Sequence, residues 1–149
     1  MADLGDPPGS PSKAIVLDAS AVIAHLAAGD PHHAAATRLL SDHATARLFV
    51  HSVNLAEVLV GGVRAGRGRE MLDDLTSLGV NVAEPVADEP LRLAELRIET
   101  GLKLPDCCAL VVAATRRLPL ASFDDRLRRA ATAIGLPALP PSVQESPKS

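Results

Sequence analysis

The 149-residue chain is the size of one domain, long enough to bury a substantial core. Apolar residues make up 47 % of it, chiefly Ala, Leu and Val, and there is no Trp and no Tyr; the core is therefore aliphatic, and a row of stacking aromatics is excluded as a source of nucleic-acid affinity. A formal charge of −3 excludes attraction to polyanions through bulk charge, so any nucleic-acid contact has to be local, with bound metal offsetting the acids.

In chain order, residues 1 to 12 carry Pro7, Pro8, Gly9, Ser10 and Pro11 and read as a disordered leader. Ala14 to Leu17 is a short apolar run with two β-branched residues, expected as a buried strand. Ser20 to Ala28 follows as a helix closed by Gly29, and Asp30-Pro31 starts another from His32 to His43, with Ala35, Leu39 and Leu40 on one face. Leu48 to His51 is a second strand. Ser52 is the expected cap of a helix that carries Glu57 and weakens at Gly61-Gly62. Arg64 to Arg69 forms a basic, Gly-broken turn before a helix ending near Leu78.

Val80 to Ala83 is a third strand, and Asp88 to Thr100 a helix stopped by Gly101. Pro105 and Asp106 open a helix that runs to Arg117; Leu120 and Ala121 make a fourth strand. Asp124 starts the last helix, to Ile134, with a short fifth strand at Leu136 to Leu139. Residues 140 to 149 read as a disordered tail, leaving 13 to 139 as the folded domain. Strands alternating with helices through short connections define a three-layer α/β/α domain around a parallel sheet of four to five strands.

Cys107 and Cys108 are adjacent on one predicted helix. They cannot staple the fold, and two sulfurs cannot complete a four-ligand zinc site, so they read as small buried apolar groups in a reducing compartment. No apolar run approaches the roughly 20 residues of a membrane span, and the first residues lack a signal-peptide pattern, so a cytoplasmic location is expected.

Four acids stand where a strand ends or a helix begins: Asp18, Glu57, Asp106 and Asp124. An α/β fold collects such positions at one edge of its sheet, where open parallel sheets build their binding crevices. Crowded carboxylates repel one another, and the usual reason to gather them is a hard divalent cation. Each has a plainer reading taken alone: Asp106 as a first-turn helix acid, Glu57 as part of a solvent stripe. The combination is what points to a metal-dependent, phosphodiester-cleaving site, in which a held cation acidifies a water and neutralises phosphate charge.

Strand–Asp18-x-Ser20, a helix with Asn54-x-x-Glu57, Pro105-Asp106 opening an Ala-rich helix, and Ser122-x-Asp124 after a strand together resemble a PIN-domain ribonuclease. More narrowly they resemble the VapC-type toxins of bacterial type II toxin–antitoxin pairs, over roughly residues 14 to 138. The resemblance implies that Asp18, Glu57, Asp106 and Asp124 are catalytic and hold one or two Mg²⁺ or Mn²⁺ ions. It matches Ser20 and Ser122 to hydroxyl positions beside the first and last acids. With Asn54, one turn before Glu57, these are candidates to orient the ligands. Asp125 is either a substitute ligand or an exposed first-turn acid. The resemblance also implies an RNA substrate, a homodimer and a VapB-type antitoxin whose C-terminal segment covers the acidic cleft.

Arg64, Arg67 and Arg69 are candidate RNA-phosphate contacts, and Arg116, Arg117, Arg126, Arg128 and Arg129 a weaker second group; the plainer reading of both is a solvated surface. The five histidines share no ligand spacing with the acids. A phosphatase or receiver built on a strand-end Asp fits poorly, because Ser20 stands where the phosphatase wants a second Asp and no Lys follows the fourth strand within the domain. The remaining alternative is a catalytically inactive PIN-like RNA- or protein-binding module.

Overall fold

A computed structural model describes residues 13–141. The expected leader at 1–12, and the tail beyond Pro141, lie outside the described residues. The elements are β1 (Ala14–Leu17), α1 (Ala19–Leu26), α2 (His33–Asp42), β2 (Arg47–Val50), α3 (Ser52–Arg64) and α4 (Gly68–Ser77). They continue with β3 (Val80–Val82), α5 (Glu89–Thr100), α6 (Leu104–Arg116), β4 (Leu120–Ala121), α7 (Asp125–Ala133) and β5 (Ala138–Leu139).

All five strands are parallel, in the order β3-β2-β1-β4-β5. The chain therefore builds outward from β1 in one direction, then returns to its other side with β4. This makes the gap between β1 and β4 the point at which the strand order reverses. Side-chain alternation divides the core. Ile15, Leu17, Leu48, Val50 and Ala121 face the helices α1 to α4, whereas Val16, Phe49 and Leu120 face α6 and α7. Both faces of the sheet are covered, so its strands read as continuous apolar runs rather than as alternating ones.

Helix α6 is the axle of the second layer. Cys107 to Ala113 are all buried, including both cysteines as free thiols, so this helix is apolar on every side. Leu110 is fully enclosed, a burial that contributes roughly 1.5–3 kcal/mol for a side chain of this size. Burial pushes the Cys108 thiol up to about 11, with the charges of Glu89, Cys107 and Glu57 adding to it; both cysteines are protonated packing groups.

Three local expectations are corrected. Helix α3 is capped by His51 rather than Ser52: the His51 Nδ1 accepts the Val53 amide at 3.0 Å. Because that nitrogen is an acceptor, Nε2 carries the proton and donates to Glu89 Oε1 at 2.9 Å. Nor does α3 weaken at Gly61-Gly62. It runs on to Arg64, because a Cβ on Gly62 would stand 3.0 Å from the Met71 sulfur, and the bare glycine lets α4 pack close. Finally, β5 is shorter than expected, confined to Ala138–Leu139.

Candidate active site

Asp18 follows β1 directly and caps α1, its Oδ1 accepting the Ala21 amide at 2.9 Å. It is only 5 % exposed, and a buried carboxylate is tolerated when its oxygens are bonded. Here Ser20 donates to Oδ1 at 2.7 Å and Ser122 to Oδ2 at 2.6 Å. Ser122 directly follows β4, the neighbour of β1, and its oxygen accepts the Asp124 amide at 3.0 Å. The Ser20 oxygen likewise accepts the Phe123 amide at 2.9 Å. Asp124 caps α7 through Oδ1, which accepts from the amides of Arg126 and Leu127. Ser122 thus ties Asp18 to the Asp124 amide, and Ser20 ties it to the neighbouring Phe123 amide, at the strand-order reversal.

The other two acids arrive on helices. Asn54, 2 % exposed, donates through Nδ2 to Glu57 Oε1 at 3.2 Å, one turn on, and to the Pro105 carbonyl at 2.9 Å. It therefore joins the helix carrying Glu57 to the peptide that precedes Asp106. Two acceptors fix the amide's orientation, since a flipped oxygen would face both of them. The consequence is that Asn54 Oδ1 is buried without a partner among the described residues. Glu57 lies on the exposed side of α3, free to reach beyond its Asn54 contact.

Asp106 lies within reach of the charges of the other three acids. Asp106 is raised above the usual carboxylate value by burial, then by the charges of Asp124, Asp18 and Glu57, against a smaller opposing effect of Lys103. Asp18 is raised chiefly by burial; its bonds from Ser122, Ser20 and Ala21 oppose this, and the Asp124 charge adds to it. The carboxylates lie within electrostatic reach of one another rather than closed on a point: among the described residues, no three His, Cys, Asp or Glu side chains are gathered tightly enough to enclose an ion. The donor set nonetheless suits a hard cation, being all carboxylate oxygen with mutual repulsion to relieve and the unpartnered Asn54 carbonyl beside Glu57.

Asp125 is exposed in the first turn of α7. Arg64 ends α3, whereas Arg67 and Arg69 are engaged with acids of α4: Arg67 with Glu70 at 2.6 Å and Arg69 with Asp73 at 3.7 Å. Both pairs are highly exposed, and such pairs are weak enough for a phosphate to displace. In the second basic group, Arg116 stacks over Phe49, and Arg128 donates to the carbonyls of Ser122 at 2.9 Å and Pro140 at 2.6 Å. Arg128 thus braces the loop between the serine and aspartate of the last motif. Its place four residues after Asp124 carries no sequence signal for that task.

The three-layer α/β fold, with its all-parallel sheet, places Asp18 and Asp124 just beyond the C-terminal ends of β1 and β4, at the strand-order reversal. The chain belongs to the PIN domain family, whose pattern it matches over residues 15–133. Among solved structures it is similar to the Mycobacterium tuberculosis VapC20, a toxin that cleaves the sarcin–ricin loop. The identity is 21 %, the TM-score 0.65, and 78 % of this chain and 95 % of that one are covered. A toxin–antitoxin complex from Klebsiella pneumoniae matches at 24 % identity and TM-score 0.64, covering 77 % and 90 %. VapBC2 from Rickettsia felis, bound to a DNA fragment from its promoter, matches at 16 % identity and TM-score 0.61, covering 83 % and 96 %. No curated protein matches the chain in sequence. Among the described residues, no helix is long and apolar enough to cross a membrane.

Proposed function

We propose that this protein is the toxin of a type II toxin–antitoxin pair, a metal-dependent endoribonuclease whose catalytic groups are Asp18, Glu57, Asp106 and Asp124. The observation that carries the reading is the tie of Asp18 through Ser122 to the Asp124 amide and through Ser20 to the Phe123 amide, with the charges of Glu57 and Asp106 beside it. Buried acids that raise one another's affinity for protons weaken the free protein, and such a cost is retained at functional sites. The similar structures, a toxin that cleaves the sarcin–ricin loop and a toxin–antitoxin complex, support the same reading.

The four carboxylates would hold Mg²⁺ or Mn²⁺, which when bound supplies an acidified water and neutralises charge on the phosphate. The chain's own part is orientation. Ser20 and Ser122 keep both Asp18 oxygens aimed and oppose the rise in proton affinity that burial causes, because a hydroxyl donating to a carboxylate favours its charged form. Asn54 sets the spacing of Glu57 from Asp106 through the Pro105 carbonyl. Exposed Arg64, Arg67 and Arg69 contribute phosphate contacts outside the crevice. A VapB-type antitoxin and a second copy of the chain are the expected partners, in the cytoplasm; an antitoxin Arg forked onto these carboxylates would compete with the cation.

The test is cleavage of total RNA by purified, antitoxin-free protein with Mg²⁺ or Mn²⁺, beside EDTA and Asp18→Asn. Metal-dependent cuts that vanish in the variant support the assignment. Cleavage by Asp18→Asn at the wild-type rate overturns it, and absence of both cleavage and cation binding assigns the domain to an inactive binding module.

A further inference from the structure

Only two phenylalanines occur in the chain, and they have different fates. Phe49 is buried in the second layer beneath Arg47 and Arg116. Phe123 lies between Ser122 and Asp124, with its amide held by the Ser20 hydroxyl, so it is fixed to the acidic crevice by its backbone on both sides. Its side chain is half-buried against the core between the sheet and helices α1 to α4. The ring of His32 lies on it, with centroids 4.6 Å apart and planes inclined by 11°.

His32 itself is exposed. Its backbone is set by Asp30, whose Oδ1 accepts the His32 amide at 2.8 Å, in the turn that precedes α2. The arrangement is a step of two flat rings, one rooted in the core and the other facing solvent, whose inner member is chain neighbour to a site acid. Nothing in the packing of α2 requires it, since the core contacts of that helix are made by Ala36 and Leu39.

We propose that the His32–Phe123 step is a nucleobase subsite, on which a base flanking the scissile phosphate of single-stranded RNA stacks. The inference rests on the nuclease reading above and adds to it the way the substrate is gripped. The chain is net negative and its positive charge near the cut comes from a held cation and a few arginines, so a contact indifferent to charge adds affinity that the electrostatics do not supply. Stacking on an aromatic face is such a contact, and it requires unpaired bases that can be splayed from their neighbours. The exposed face of His32 presents that surface, and Phe123 beneath holds it flat.

The test uses the non-cleaving Asp18→Asn protein with Mg²⁺ and a set of short single-stranded oligoribonucleotides, each carrying 2-aminopurine at a different position. The expected result is saturable quenching of the label for at least one position. Adding His32→Ala abolishes the quenching and weakens binding by roughly tenfold, in the range of one lost base–aromatic stack. His32→Trp, with a larger face, deepens the quenching and tightens binding. In the cleaving background, His32→Ala raises KM more than it lowers kcat. Quenching that survives His32→Ala, or no quenching at any position, overturns the subsite. Metal-dependent cleavage of total RNA unaffected by His32→Ala would do the same and leave the nuclease standing, whereas absence of both cleavage and quenching removes both readings.

Discussion

The Ser122 hydroxyl donates to Oδ2 of Asp18 at 2.6 Å across 104 positions of sequence, and Ser122 Oγ in turn accepts the amide of Asp124 at 3.0 Å. One fully buried atom group therefore registers the first acid against the last. Its removal leaves a buried carboxylate oxygen short of a donor. Ser122→Ala is expected to cost about 1–3 kcal/mol in stability by chemical denaturation and about 10- to 100-fold in cleavage rate. Because the lost bond favoured the charged form of Asp18, the acid limb of the pH–rate profile moves to higher pH. A variant with a wild-type profile would refute this role.

Asp106 and Asp18 link the site to stability. Both native pKa values lie above 3.8, so the folded protein holds protons that the unfolded chain has released. Where both states are protonated, below about 3.8, the two groups contribute nothing; as pH rises from there the unfolded chain ionises first and the metal-free fold loses stability, until pH passes the raised native values and the loss becomes constant. Asp106→Asn is therefore expected to melt higher than wild type without metal, by a margin that widens as pH rises from about 3.8 and levels off once Asp106 is ionised in the fold. Adding Mg²⁺ narrows the margin by stabilising only the wild type. Melting curves at several pH values, with EDTA or Mg²⁺, measure it. A pH-independent margin contradicts the shared-charge account.

Asn54 separates geometry from size. Asn54→Asp keeps the shape but turns a donor to Glu57 and Pro105 into an acceptor, placing like charge beside Glu57. Asn54→Ala merely removes the tie. Both should lower cleavage by about 10- to 100-fold. Only the Asp form should, in addition, strengthen the pH dependence of metal-free stability. Equal behaviour of the two variants would show that Asn54 acts through packing alone.

The paired glycines of α3 give a prediction independent of catalysis. A Cβ on Gly61 meets nothing within 4 Å, so Gly61→Ala should stabilise by about 0.5–1 kcal/mol through helix propensity. A Cβ on Gly62 meets the Met71 sulfur at 3.0 Å; that flexible side chain has to shift, so Gly62→Ala should gain less or nothing. Denaturant midpoints of the two variants decide it, and a larger gain at Gly62 would count against the packing described.

The sequence by itself determined the order of strands and helices, the aliphatic core and the candidate acids at element boundaries. These are short-range properties, carried by apolar runs such as Ile15-Val16-Leu17 and by breakers such as Gly101 and Pro105. It left Glu57 open between a solvent stripe and the crevice, and it named Ser52 as a cap where His51 serves. Only the tertiary structure decided that β4 returns beside β1, which brings Ser122 to Asp18. The same folding carries the Pro105 carbonyl to Asn54 across 51 positions, Glu89 to His51, and Phe123 beneath His32. Periodicity reports which face of an element is buried and not what it is buried against. Contacts between distant segments depend on strand order and layer packing, which no local pattern encodes.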